Sequence, residues 1–409
     1  MSSSTDPATG DQGLLDLPRW NSVWQLSLAR VLQDADVGSL TITEPSGRTL
    51  MHRGAAAGPS AQIKIVSWRT IRRLLLGGHV GFAEAYMAGD FETSDLVALL
   101  TWAMRNEAAM TRVWQGTWMA RSAAALQHVL RRNTLVGSRR NIQAHYDLGN
   151  EFYAQWLDRG MNYSSALFEW PDQSLDEAQS AKLDKIIAML APEHGNSVLE
   201  IGCGWGPLAE RLARAKACHV TGLTLSPAQR SYARERLADV TPPPEILLKD
   251  YRAVSGTFDR IASIEMIEAV GERYWPAYFA TIARCLKPGG IAVVQAITID
   301  ERYFACYRSN PDFIQKHIFP GGMLPTTRII YDHAASAGLQ QGKAHRFGES
   351  YAQTIAAWRD RFHAALPVLA NMGFDEEFRR KWDYYFAYCE TGFRLGTLDV
   401  GLYRFVKET

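Results

Sequence analysis

Much that would announce a function at first reading is missing from this 409-residue chain. Its five cysteines, Cys203, Cys218, Cys285, Cys306 and Cys389, have neither metal-ligand nor disulfide spacing, which argues against a zinc site and an oxidising compartment and fits a reduced cytoplasm. Net charge is nearly absent, at +1, so neither nucleic acid nor anionic lipid is attracted in bulk and any such affinity has to be local. No stretch approaches the ~20 apolar residues of a membrane span. The serine-rich, Asp-containing start lacks the basic and apolar regions of a signal peptide, so the expectation is a soluble or at most peripheral protein. What is present is a globular composition, 47% hydrophobic and 21% charged, in a chain too long for one typical core.

The stretch Val198-Leu-Glu-Ile-Gly-Cys-Gly-Trp-Gly206 organises the rest. Val198 to Ile201 predicts a buried strand, and Leu208 and Leu212 stand at helical spacing after the glycine turn. Without Cβ atoms in the way, Gly202, Gly204 and Gly206 allow a sharp turn and close approach to a ligand. An ordinary βα turn has the same pattern. The Asp or Glu that comes roughly 20 residues after a dinucleotide turn is missing, because His219-Val-Thr-Gly-Leu223 ends in Thr224-Leu-Ser226. Strands are expected at Glu245–Leu248, before Lys249-Asp-Tyr-Arg252, at Phe258–Ser263, and at Ile291–Thr298 after a Lys-Pro-Gly-Gly turn that closes a helix. This alternation predicts a parallel sheet with its ligand at the carboxyl ends of the strands. Together these features resemble the S-adenosylmethionine-dependent methyltransferase fold, an α/β Rossmann-like class I sheet.

Along the chain, residues 1–15 read as a disordered N-terminus. Residues 16–111 form a small α+β accessory domain: a helix from Pro18, strands at Gly38–Thr43 and Gln62–Val66, then helices at Leu74–Gly89 and Leu96–Leu100. It reads as a packing domain without chemistry. Residues 112–140 form a basic linker with Arg121, Arg131, Arg132, Arg139 and Arg140. Such a run is commonly a solvated helix face; as a contact for anionic head groups it would contribute about 1 kcal/mol per basic residue. Residues 141–409 make the methyltransferase domain.

His145-Tyr-Asp-Leu-Gly-Asn-Glu-Phe-Tyr153, Met161-Asn-Tyr-Ser-Ser-Ala-Leu-Phe168, the glycine turn, the Tyr303 to Pro325 insertion and Glu349-Ser-Tyr-Ala-Gln353 occur in one order. In that order they resemble the cyclopropane-fatty-acyl-phospholipid synthase family, which includes mycolic acid cyclopropane synthases and related lipid C-methyltransferases. Gly81-Phe-Ala-Glu-Ala-Tyr-Met-Ala-Gly-Asp90 resembles the accessory domain of its longer members.

The resemblance implies methyl transfer from S-adenosylmethionine to a cis double bond of an unsaturated phospholipid acyl chain, then proton loss from the resulting carbocation. It implies cofactor contacts by Tyr163, Ser164, Gly202, Gly204, Thr224, Leu225 and Gln229, with Asp250 and Tyr251 near the adenine. Tyr163, Tyr307 and Tyr351 are candidates to face the developing cation. Ring-forming members hold a bicarbonate ion as base with a cysteine, a glutamate, a histidine and a tyrosine. Glu268 and Tyr351 match two of these, while Ser165 and Gln295 stand where the cysteine and histidine would be. Both can still hydrogen-bond an anion, but the charge a histidine can carry is lost. The pattern is closer to the branch that makes methylated or methylene-bearing chains than to the ring-forming one, with Glu268 as the candidate direct base. Glu265, three residues earlier, would share a helix face with it. Phe304, Tyr307, Phe313, Ile314 and Ile318 are expected to line an acyl tunnel.

Two rival readings remain. A small-molecule O- or N-methyltransferase would need a polar pocket, against which the aromatic insertion argues; a non-catalytic lipid-binding relative would keep the fold after losing active-site residues, which Ser165 and Gln295 suggest and the intact glycine turn argues against. The near-neutral charge argues against a nucleic-acid substrate. The resemblance further implies a cytoplasmic enzyme peripheral to the inner face of the cell membrane, transient membrane contact, a homodimer, and a separate reductase acting on any methylene product.

Overall fold

The computed structural model describes residues 32–114 and 148–408. The expected disordered start, nearly all of the helix from Pro18, the basic linker beyond residue 114 with its five arginines, and His145 to Asp147 lie outside the described residues.

The N-terminal strands β1 (Val37–Thr43), β2 (Thr49–Arg53), β3 (Ala56–Ile65) and β4 (Phe91–Glu92) form a sheet in the order β2-β1-β3-β4. Alternation along β1 turns Leu40 and Ile42 into a small core with Ile63, Ile65 and Trp102. Three helices come next: α1 (Arg69–Met87), broken at Gly78, α2 (Leu96–Arg105) and α3 (Glu107–Trp114). Asp95 caps α2 by accepting the Ala98 N–H at 2.9 Å.

The second sheet has seven strands: β5 (Ser197–Ile201), β6 (His219–Thr224), β7 (Glu245–Leu248), β8 (Phe258–Ile264), β9 (Leu286–Ile299), β10 (Leu339–Arg346) and β11 (Leu398–Lys407), ordered β10-β11-β9-β8-β5-β6-β7. β9 to β7 run parallel, the expected α/β sheet, and β11 and β10 add an antiparallel edge that was not expected. Sequential strands leave β5 in one direction to β6 and β7, then in the other to β8 and β9. The order therefore reverses between β5 and β8, and a ligand site belongs at their carboxyl ends.

Helices α4 (Asn150–Ala154), α5 (Leu175–Leu190), α6 (Pro207–Lys216), α7 (Pro227–Arg236), α8 (Ile267–Val270) and α9 (Trp275–Cys285) accompany the strands. A capping box between Ser174 and Glu177 starts α5, Pro207 opens α6 at a position where its missing N–H costs nothing, and the Ser226 hydroxyl caps α7. The roof is built by α10 (Glu301–Ser309), a π-helical turn at Ile314–Ile318, α11 (Thr327–Ser336), α12 (Gly348–Ala364), α13 (Leu366–Asn371) and α14 (Glu376–Arg394). Phe152, Trp156, Trp358, Trp382 and Phe386 knit α4, α12 and α14 edge to face at 4.8–6.0 Å, each such pair adding about 1 kcal/mol beyond its buried area. Ala83 and Met87 of α1 and Leu96 and Leu100 of α2 are buried in this same core.

Two local expectations need correction. The fifth strand starts earlier than expected: β9 begins at Leu286, and Lys287 to Gly290 are carried within it as an unpaired bulge opposite Asp259, with Gly289 at φ 72°. Glu265 and Glu268 do not share a helix face either. Glu265 is in the left-handed region (φ 46°), which ends β8 abruptly, and α8 starts only at Ile267.

Candidate active site

A cavity of about 930 Å³ opens from the carboxyl ends of β5, β6 and β8 into the space below the roof. One end is the glycine turn. Gly202 (φ 83°) and Gly204 (φ 53°) occupy backbone regions that a side chain disfavours. The Gly202 and Cys203 N–H groups donate to the Leu223 carbonyl at 3.0 and 2.9 Å, which ties the turn to β6. A Cβ on Gly204 would meet nothing within 4 Å among the described residues; it would project into open space. Beyond the turn, the Thr224 hydroxyl donates to Gln229 Oε1 at 2.8 Å and accepts the Ser226 N–H at 3.1 Å. Tyr163, Ser164, Leu225 and Tyr251 complete this end. Burial pushes the Tyr251 phenol up to about 12, and its hydroxyl has no hydrogen-bond partner among the described residues.

Asp250 is not brought to the cavity. Its carboxylate accepts the Arg252 backbone N–H and Nε, both at 2.9 Å, and Nη2 at 2.8 Å, which turns it to Arg252. The other eight sequence-expected cofactor residues line the cavity.

At the junction with the roof the sequence-expected residues meet around a carboxylate that sequence spacing assigned to a helix. Glu265 Oε1 accepts the Ser165 backbone N–H at 2.8 Å and Gln295 Nε2 at 2.7 Å. Glu265 Oε2 accepts the Tyr351 hydroxyl at 2.6 Å. The left-handed conformation that aims Glu265 inward costs on the order of 1–2 kcal/mol for a residue with a Cβ. Burial raises the Glu265 pKa, opposed by those three donors and by the charge of Lys182. Glu268 accepts the Ile297 N–H at 2.5 Å, and its other oxygen is buried without a partner among the described residues. Burial, then the charge of Glu265, pushes Glu268 up to about 8. Glu265 has three donors to hold a negative charge, whereas Glu268 has one.

Ser165 enters this cluster through its backbone; its hydroxyl donates to the Ala166 carbonyl at 2.9 Å instead of facing the cavity. Gln295 reaches Glu265 from the neighbouring strand, where it pairs with Ile264 in the ladder. Tyr351 packs its ring on Phe393 with centroids 4.5 Å apart. Of the proposed tunnel residues, Tyr307 and Ile314 line the cavity, as do Tyr163 and Tyr351. Phe313 packs on Tyr384 at 4.8 Å, and Phe304 and Ile318 belong to the hydrophobic cores.

Three ionisable groups that line the cavity were not singled out as site residues from sequence: Glu265, Lys182 and Glu200. Lys182 is fully buried, donates to Ser164 Oγ at 2.7 Å, and is pulled down to about 8 by burial against the attraction of Glu265, Asp158 and Glu200. Burial pushes Glu200, at the end of β5, up to about 8. The available signal for Lys182 was a lone cation on the face of α5 that also buries Ala178, Leu183 and Ile186. The accessory helices contribute as well: Leu76, His79 and Val80 of α1, Met104 of α2 and Met110 of α3 line the cavity, so that unit does more than pack.

A family model described as mycolic acid cyclopropane synthetase matches residues 134–402. Over 350 residues the chain is 39% identical to the tuberculostearic acid methyltransferase of Mycobacterium tuberculosis, covering 82% of this chain and 81% of that one. Over 352 residues it is 35% identical to the cyclopropane-fatty-acyl-phospholipid synthase of Escherichia coli, covering 85% and 87%. Among solved structures, a mycolic acid cyclopropane synthase complexed with SAH and CTAB superposes with a TM-score of 0.62 at 30% identity, over 66% of this chain and 98% of that one.

Proposed function

Because this chain belongs to the mycolic acid cyclopropane synthetase family, we propose that it methylates the cis double bond of an unsaturated phospholipid acyl chain and releases a methyl-branched or methylene product in preference to a ring. It is an S-adenosylmethionine-dependent C-methyltransferase acting on lipid acyl chains.

The residues at the glycine turn fit S-adenosylmethionine. The open space at Gly204, the Tyr251 hydroxyl without a partner among the described residues, and the Thr224–Gln229 pair form a polar cradle of the kind a nucleoside needs. When bound, that group supplies the methyl, its S–C bond breaking with the electron pair left on sulfur. The chain's own residues position the acceptor and shield the cation formed on it. Tyr163, whose hydroxyl is 3.0 Å from that of Tyr385, and Tyr351 present aromatic faces beside the junction, and the roof aromatics keep out water that would trap a cation.

The observation that carries this reading is continuity: one cavity joins the glycine turn, the buried carboxylate cluster and an apolar space under the roof containing Tyr307, Ile314 and Phe319. A small polar acceptor would use little of it. The departures at Ser165 and Gln295 from the ring-forming pattern favour the branched product. Delivery of the chain from a membrane surface, through the basic linker, accords with an acyl substrate; among the described residues no helix is long and apolar enough to cross a membrane. A cytoplasmic homodimer, and a separate reductase for a methylene product, complete the proposal.

The test is incubation of the purified protein with methyl-labelled S-adenosylmethionine and vesicles of cis-unsaturated or fully saturated phospholipid. Label in the acyl chains of the unsaturated vesicles alone supports the reading. Label that appears only in added catechol or amine acceptors rejects it.

A further inference from the structure

We propose that the side chain of Glu265 is itself the base that takes the proton in the reaction proposed above, and that it replaces a bound bicarbonate ion in this chain. The proposal rests on the acyl-methylation reading.

A carbonate-type anion held by this family's pattern needs hydrogen-bond donors that converge on one small volume. Here the convergent donors are already taken. The Ser165 N–H and Gln295 Nε2 are 2.8 and 2.7 Å from one oxygen of Glu265, and the Tyr351 hydroxyl is 2.6 Å from the other. Among the described residues, the remaining members of the cluster add one donor at most, the proton that burial favours on Glu268; Oε1 of Gln295 is a buried acceptor without a partner, and the Ser165 hydroxyl is turned to the Ala166 carbonyl. A free anion would find oxygen lone pairs and a fixed negative charge where it needs N–H and O–H groups. The residues present do not fit bicarbonate.

They do fit a covalently tethered stand-in. A carboxylate and a bicarbonate present the same pair of oxygens, and the three donors grip Glu265 as they would grip the ion. The left-handed backbone at Glu265 is what delivers the group there: a residue continuing β8 or starting α8 would carry its side chain elsewhere. Glu265 and Tyr351 both line the cavity, beside Tyr163, Met266 and Ile297. Glu268, which the family resemblance favoured as base, holds the Ile297 N–H instead.

The step balances within the chain. After methyl addition the acyl chain carries a cation; a C–H bond on a carbon next to it breaks, its electron pair forms the π bond of the alkene product, and the proton passes to a Glu265 oxygen, giving the neutral acid. Release of product and solvent entry return that proton to water.

The experiment uses the full-length protein with dioleoyl phospholipid vesicles and labelled S-adenosylmethionine, in carbon dioxide-free buffer and in buffer with added bicarbonate. Wild-type transfer is expected to be equal in both. Glu265→Gln should lower transfer by about 10²–10⁴-fold, the usual contribution of a general base, while cofactor affinity by calorimetry changes no more than a few-fold. Glu265→Gly relieves the left-handed backbone and should melt no lower than wild type, and added formate or bicarbonate should restore part of its activity in a saturable manner. A wild-type rate that collapses without bicarbonate, or a Glu265→Gln variant that turns over like wild type, overturns the proposal while leaving acyl methylation intact. If the wild type labels no unsaturated lipid in either buffer, the underlying reading fails and the proposal falls with it.

Discussion

Gln295 Nε2 donates to Glu265 Oε1 across 2.7 Å, from a strand position paired with Ile264, the residue just before that glutamate. The contact joins β8 and β9 at their carboxyl ends, next to the point where the strand order reverses, and places a carboxyl group at the meeting point of the glycine turn and the roof. The expected consequences of that arrangement can be measured.

Tyr351 supplies the shortest of the three contacts to Glu265, so its removal should be felt through the carboxylate. Loss of a donor to the charged form raises the pKa further. Tyr351→Phe is expected to reduce transfer by about tenfold or more at pH 7, the scale of a lost hydrogen bond to a charged group, with partial recovery as pH rises. A rate profile across pH checks this, and a uniform loss at every pH would contradict it.

Lys182 acts on the same carboxylate without touching it, and it also donates to Ser164 on the cofactor side. Lys182→Met removes a positive charge that lowers the pKa of Glu265 and of Glu200. The acid limb of kcat/KM should move up by about one pH unit, and KM for S-adenosylmethionine should rise. Steady-state kinetics at several pH values separate the two effects.

Glu268 gives a stability prediction with a definite sign. Its folded-state pKa is raised to about 8 by burial and by Glu265, above the ordinary carboxylate value of 4.5. Between those values the folded state binds more proton than the unfolded chain, so stability is full below pH 4.5 and is lost as pH rises through 8. Glu268→Gln removes this dependence. Melting temperature measured from pH 5 to pH 9 should fall less steeply in the variant than in wild type, and parallel curves would contradict the assignment.

Restoring the ring-forming pattern should require three changes. Ser165→Cys with Gln295→His leaves the Glu265 carboxylate in the anion position, so bicarbonate dependence should not appear. Adding Glu265→Gly frees the position, and bicarbonate-dependent transfer with some ring product is then expected. Product analysis of the double and triple variants decides the matter.

Much of the scaffold was legible in the sequence because it depends on local patterns. Val198, Leu199 and Ile201 before three glycines mark β5 and its turn, Glu245–Leu248 is a strand with the expected limits, and the order of motifs identifies the family. The parts that were not legible depend on conformation or on distant packing. Spacing of three residues suggested that Glu265 and Glu268 share a helix face, and one left-handed residue separates them instead. Asp250 has a side chain suited to a ribose or adenine contact, but Arg252 two residues away claims it. Lys182 hides in an amphipathic helix whose buried face becomes a site only when β5 and the Tyr163–Ser164 strap pack over it. The role of α1 and α2 in lining the cavity comes from their docking on α14, which no local pattern encodes.

The most direct measurement is gas chromatography–mass spectrometry of the fatty acids from a cyclopropane-deficient bacterium that expresses this chain and is fed methyl-deuterated methionine. The account predicts labelled chains one carbon heavier that still contain an alkene: methyl-branched chains with their deuterium complete, or methylene chains one deuterium short. A saturated three-membered ring one deuterium short would contradict the branched product, and fatty acids without any label would contradict lipid methylation itself.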